Sequence, residues 1–174
     1  QDALPADHKL IGNLLKALDQ NEKTGAAYAR QLPKSDCGFL ERYTRSFNYP
    51  EHSSVKSLSD VKQYGIKTYF CSNVCAAYKR ETYQEVGGFV NRAIFNEDMI
   101  CAGNMVKQGY SIAYAADARV YHSHNYSCVQ QFHRNFDLGV SQAEHSEIFA
   151  DVPSEGEGLR LVKRSMAYLV KTGH

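Results

Sequence analysis

The chain has 174 residues, enough for one domain with a substantial core at ~100–200 residues per domain. Its 20 basic and 19 acidic side chains leave a net charge of +1 and no basic field, which excludes nucleic acid as a partner. No apolar run approaches the ~18–20 residues that a membrane span requires, so a soluble protein is expected.

Five cysteines, Cys37, Cys71, Cys75, Cys101 and Cys128, contain no Cys-x-x-Cys pair. Their odd number and apolar settings are those of reduced, buried thiols in a cytoplasmic protein. A zinc shared by Cys71 and Cys75 is the weaker reading, because no second pair stands at ligand spacing. The chain opens on Gln1 rather than Met, with neither an apolar nor a basic leader, and reads as a fragment whose N-terminal part is missing.

In chain order, Asp7 to Asp19 sets Leu10, Ile11, Leu14, Leu15 and Leu18 at helical intervals, with Asp7 as N-cap. Ala26 to Leu32 is a short strand closed by Pro33, and Cys37 to Phe47 a helix with the stripe Phe39, Leu40, Tyr43 and Phe47. Residues 48–66 are polar and aperiodic, the composition of a functional loop or lid. Thr68 to Val74 is strand-like, and Lys79 to Val86 is a short helix before the Gly87-Gly88 turn. Asn96 caps a helix of about three turns that ends at Gly109. Ser111 to Ala115 and Ala118 to His122 form a strand pair. Ser127 then starts a helix to about Ala143, with Val129, Phe132, Phe136 and Val140 on one face. A polar linker, Asp151 to Gly158, leads to a last amphipathic helix, Leu159 to Lys171. Mixed strands and helices make the class α/β, with a main unit over 1–150 and a linker and helix over 151–174.

Chemistry concentrates between Glu85 and His124. Glu97 and Asp98 stand in a first helical turn, where the dipole stabilises acids and Asn96 caps; that alone explains them structurally. A carboxylate at a helix N-terminus also stays ionised, as a general base must. Gly87-Gly88 supplies a backbone that a ligand can approach closely. His122 and His124 alternate, so on a strand they share one face. Gln130, Gln131 and Arg134 share a helix turn and can present together, and a solvated helix face is the structural alternative. The last helix intersperses Arg160, Lys163, Arg164 and Lys171 with its apolar side, and either packs on the domain or a sister chain or meets an anionic membrane surface.

Taken in order, Gly-Gly-Phe, Glu-Asp at a helix start, Gly-Tyr after that helix and a strand ending in His resemble the inverting glycosyltransferases of family 2, which have the GT-A fold. The segments SNVCAAYKRETYQEVGGF, NEDMICAGNMVKQGY and VYHSHNYSCVQQFHRNFDLGV are similar to those of its bacterial rhamnosyltransferase-like branch, over roughly residues 1 to 145. The resemblance implies a partial GT-A fold, a mixed sheet flanked by helices, without the N-terminal nucleotide-binding strands. It implies transfer of a sugar from a nucleotide diphosphate donor to a saccharide or lipid-linked hydroxyl, in the cytoplasm or at the inner face of the membrane. Asp98 matches the catalytic base and Glu97 its acidic neighbour. Gln1-Asp2-Ala3 falls where other members carry Asp-x-Asp, so Asp2, with His122, is the implied holder of Mg²⁺ or Mn²⁺. The acidic positions replaced by Gln1 and Ala3 depart from that pattern. Ser72, Asn73 and Gly88 would line the acceptor side. Gln131 and Arg134 resemble a Gln-x-x-Arg element whose following Trp is Asn135 here. Two rival readings stand beside this one: a zinc hydrolase using His122, His124 and Asp98, and a carbohydrate-binding module whose site no longer turns over.

Overall fold

The computed structural model describes residues 3–152 and 155–172. Strand β1 (Leu4–Pro5) is followed by helix α1 (Leu10–Asp19), β2 (Thr24–Leu32), α2 (Phe39–Asn48) and β3 (Ser54–Lys56). Then come the short α3 (Val61–Tyr64), β4 (Ala76–Tyr78), α4 (Arg80–Glu85), α5 (Glu97–Lys107) and β5 (Ser111–Tyr121). Three helices close the chain: α6 (Cys128–Glu144), α7 (Ser146–Phe149) and α8 (Glu155–Thr172). The strands make one mixed sheet in the order β1-β5-β2-β4, with β3 also on β5. Strands β2 and β5 run parallel at its centre, and β1, β3 and β4 pair antiparallel to them.

Both central strands are buried on two faces, so their residues sort by the period of two. Ala26, Tyr28, Ile112 and Tyr114 face Ile100, Met105 and Val106 of α5, together with Tyr69, Ile148 and Phe149. Ala27, Ala29, Ala113 and Ala115 face Leu10, Leu14 and Leu18 of α1. Alanine on that second face lets α1 lie close to the sheet. Gly103 of α5 is just as tightly packed: a Cβ there would stand 2.6 Å from Cγ2 of Ile148.

Several expectations are corrected. The strand pair 111–115 and 118–122 is one continuous strand, because β5 carries three extra residues between its pairings Ala29↔Ala115 and Arg30↔Arg119. That bulge is held from outside: Ala116 N–H donates to Ser53 Oγ (2.9 Å), and the Asp117 carbonyl accepts from Asn13 Nδ2 (2.7 Å). Residues 48–66 are no loose lid. Within them β3 pairs with β5, and buried Lys56 donates through Nζ to the carbonyls of Lys67 (2.6 Å) and Phe70 (2.9 Å) and to the Tyr28 hydroxyl (3.3 Å). The expected strand 68–74 is instead the end of a 3-10 turn and an irregular run, since the strand beside β2 is Ala76–Tyr78. Helix α1 starts at Leu10; Asp7 stands in the preceding turn, accepting Lys9 N–H and pairing with Arg119.

Ser127 does cap α6, through a capping box with Gln130. Its stripe of Val129, Phe132 and Phe136 faces solvent, however, each more than 60% exposed. Cys128 is exposed as well, while Cys37, Cys71 and Cys101 are buried free thiols. Helix α8 starts inside the expected linker and packs through Tyr168, whose ring stacks on Phe39 and Tyr43 of α2 (5.0 and 4.4 Å). Of the apolar side read there, Leu159, Val162, Met166, Leu169 and Val170, only Leu169 is half-buried and the other four are exposed. Among the described residues, no helix is long and apolar enough to cross a membrane.

Candidate active site

The acid pair is built at the start of α5. Asn96 sits in the left-handed region at φ 68°, a conformation asparagine tolerates better than most side chains. It holds the N-cap position, but its side chain does not cap; Nδ2 donates to the Leu138 carbonyl of α6 (3.3 Å). Asp98 takes over the free N–H groups. Its Oδ1 accepts from Met99 N–H (2.8 Å) and its Oδ2 from Asn73 N–H (3.0 Å). Asn73 also donates through Nδ2 to Glu97 Oε1 (3.3 Å), and its Oδ1 accepts from the Tyr78 hydroxyl (2.7 Å). One residue thus clamps both carboxylates.

Burial pushes the Asp98 carboxyl above its ordinary value; the Asn73 N–H draws it back down, and the charge of Glu97 adds to the rise. A carboxylate of raised basicity, fixed by backbone donors, is suited to take a proton from a hydroxyl.

Next to Asn73, the site runs through Gln31 and Arg45, which the sequence did not single out, to His122. Gln31, buried near the end of β2, donates through Nε2 to Ser72 Oγ (2.9 Å). Gln31 Oε1 accepts from Arg45 of α2 and lies 2.8 Å from His122 Nδ1. His122 prolongs the central ladder, its N–H donating to the Leu32 carbonyl (2.9 Å), which sets the ring at the strand's end. His122 Nε2 stands 3.1 Å from His124 Nε2. The ring of His124 stacks on Tyr126 (5.0 Å), and the Arg134 guanidinium lies over both Tyr126 (5.3 Å) and Phe95 (4.8 Å). Phe95 immediately precedes Asn96. The contacts therefore close a circuit, from Asp98 through Asn73, Ser72, Gln31, His122, His124, Tyr126 and Arg134 back to the start of α5.

Five elements far apart in sequence contribute to that circuit. It gathers Glu97, Asp98, Ser72, Asn73, His122 and Arg134, six of the expected site residues. Two expectations are placed otherwise, and a third is not described. Gln131 is exposed, and its amide donates to Asn135 on the surface of α6 (3.0 Å). Gly88 lies at φ 67° with the Tyr83 ring 2.8 Å from where a Cβ would be, so turn geometry and packing account for the glycine. Asp2 lies outside the described residues.

The chemistry of the donors gives a partial fit to a divalent cation. The two Nε2 atoms of His122 and His124 are near enough to serve one ion as well as to bond to each other. Among the described residues, no group of three His, Cys, Asp and Glu side chains could hold a metal. Asp98 does not reach these imidazoles; Asn73, Ser72 and Gln31 intervene, which removes the arrangement that a zinc hydrolase needs. Gln31 and Arg45 escaped sequence reasoning. The available signal was a polar pair, Arg30-Gln31, inside the otherwise apolar strand run ending at Pro33.

Two comparisons bear on this site. The chain is 42% identical over 172 residues to the O-antigen chain rhamnosyltransferase RfbN of Salmonella typhimurium. It is 41% identical over 172 residues to the O-antigen chain rhamnosyltransferase WbaN of Salmonella anatum. The chain is similar to rhamnosyltransferases. Each alignment covers 98% of this chain and 54% of the relative, so the chain spans about half the length of the curated relatives it matches. No family model matches it.

Proposed function

We propose that the chain is the acceptor-side part of an inverting glycosyltransferase, similar to family 2 and of partial GT-A fold, that moves a sugar from a nucleotide diphosphate donor to a saccharide or lipid-linked hydroxyl. The relatives' names make rhamnose the first sugar to test and O-antigen assembly the setting. The observation that carries this reading is the clamp on Asp98: a half-buried carboxylate of raised basicity, fixed by Asn73 and Met99, in one circuit with imidazoles and an arginine.

In this mechanism the acceptor oxygen forms a bond to the anomeric carbon while the bond from that carbon to the diphosphate oxygen breaks. Asp98 takes the hydroxyl proton, and the electron pair leaves with the nucleotide diphosphate. A positioned base of this kind contributes ~10²–10⁴-fold. Arg134 binds diphosphate or acceptor oxygens through its guanidinium, which lies over the Phe95 and Tyr126 rings. Ser72 and Asn73 line the acceptor side. A divalent Mg²⁺ or Mn²⁺, held by Asp2 and His122, would neutralise the leaving group. Because the chain spans about half of its relatives, activity is assigned to the whole protein, and little or none is expected of these 174 residues alone.

Full-length protein supplied with a panel of nucleotide diphosphate sugars, a rhamnose donor among them, tests this. The expected product has the anomeric configuration opposite to the donor's, read by proton NMR. Retention of configuration, or no transfer from any donor, contradicts the reading.

A further inference from the structure

We propose that Gln31 is a positioning residue that fixes the tautomer of His122, holding its Nδ1 protonated and turning the Nε2 lone pair toward His124. The role of His122 in transfer rests on the reading above; its tautomer does not.

Arg45 can only donate hydrogen bonds. Its guanidinium bonds to one end of the Gln31 amide, so that end is the oxygen. The other end is then the NH₂ group, and it meets the Ser72 hydroxyl, which is able to accept. With the amide orientation settled, the 2.8 Å contact to His122 Nδ1 joins a carbonyl oxygen to a ring nitrogen, and only a protonated Nδ1 satisfies it. Neutral His122 consequently carries its lone pair on Nε2. Its neighbour there, His124 Nε2, can serve as the N–H donor or share a cation.

Gln31 is only 3% exposed, so it cannot exchange these partners for water. Through Ser72 it also ties the imidazole to the loop that clamps Asp98. Partners that orient a ring through its second nitrogen are worth about 10–100-fold in affinity or activity where they have been removed.

The test uses ¹⁵N-labelled full-length protein in metal-free buffer at mildly alkaline pH, with two-bond proton–nitrogen correlation of the imidazoles. The His122 signals are assigned by their loss in His122→Gln. Wild type is expected to show Nδ1 protonated and Nε2 bare. Gln31→Glu keeps oxygens toward Arg45 and His122, and retains that signature and most of the transfer rate. Gln31→Met keeps the length without the amide, loses the signature and lowers kcat about 10–100-fold. If the Met variant does not fold, wild type and the Glu variant decide the matter alone. His122 protonated on Nε2 in wild type, or an unchanged His122 signature in folded Gln31→Met, overturns the proposal. The stated tautomer in a protein that transfers no sugar would leave Gln31 in its role and sink the transferase reading instead.

Discussion

Two ionisable residues, half-buried Asp98 and buried Lys56, have opposite relations to their surroundings, and each yields a measurement. Burial raises the Asp98 carboxyl above the 3.8 of a solvated aspartate. The acidic limb of kcat/KM should therefore fall off above that value, because protons that occupy Asp98 remove the base. A limb at or below the ordinary carboxylate value would show that Asp98 is not the titrating group. For Lys56, burial pulls the ammonium down from 10.5 to about 7, against three oxygen acceptors that favour the charged form. The unfolded chain then binds more protons than the folded one between those values. Folding stability should rise with pH across that window and be lost as pH falls toward about 7. Lys56→Met should erase this slope in denaturant titrations. It should also destabilise the fold by about 1–3 kcal/mol, through the Phe70 carbonyl that loses its Lys56 donor, while the Lys67 carbonyl keeps the Phe70 N–H. A stabilised Met variant with the slope intact contradicts this account.

At the scale of elements, α5 is legible in the sequence, and β5 only as two halves. Asn96 at its start and the stop at Gly109 (φ 91°) mark α5 within a residue or two. The bulge in β5 is set by partners distant in sequence, Ser53 and Asn13, so no local pattern could reveal it. The run at 68–74 has strand composition, yet it is the end of a 3-10 turn and an irregular stretch, with the carbonyls of Lys67 and Phe70 turned inward onto Lys56. Periodicity also finds a helix face without saying what covers it, and the stripe of α6 shows this, since Phe132 and Phe136 are exposed. The packing of α5 gives a sharper test. Gly103→Ala would push a methyl to 2.6 Å from Ile148 Cγ2 and 3.3 Å from the Tyr69 ring. Despite the better helix propensity of alanine, it should cost about 1–3 kcal/mol and lower the melting temperature. An unchanged or higher melting temperature would mean that α7 is free to move away.

Over the whole molecule, what the sequence could not show is how the site closes. Asp98, Arg134 and His122 were readable one by one from ordered motifs, but Gln31 and Arg45 carry no motif. Their importance comes from β2 and α2 meeting the end of β5, an outcome of topology. The acid pair is likewise tied to more than its own helix: Asp98 accepts from Met99 of α5 and from Asn73, so the contacts that stabilise α5 also fix the carboxylate proposed as the base. The most direct check of that claim is sugar transfer by full-length protein carrying Asp98→Asn, at saturating donor and with folding verified by thermal melting. The account predicts that kcat falls ~10²–10⁴-fold, with donor affinity close to wild type. Transfer at the wild-type rate would contradict it.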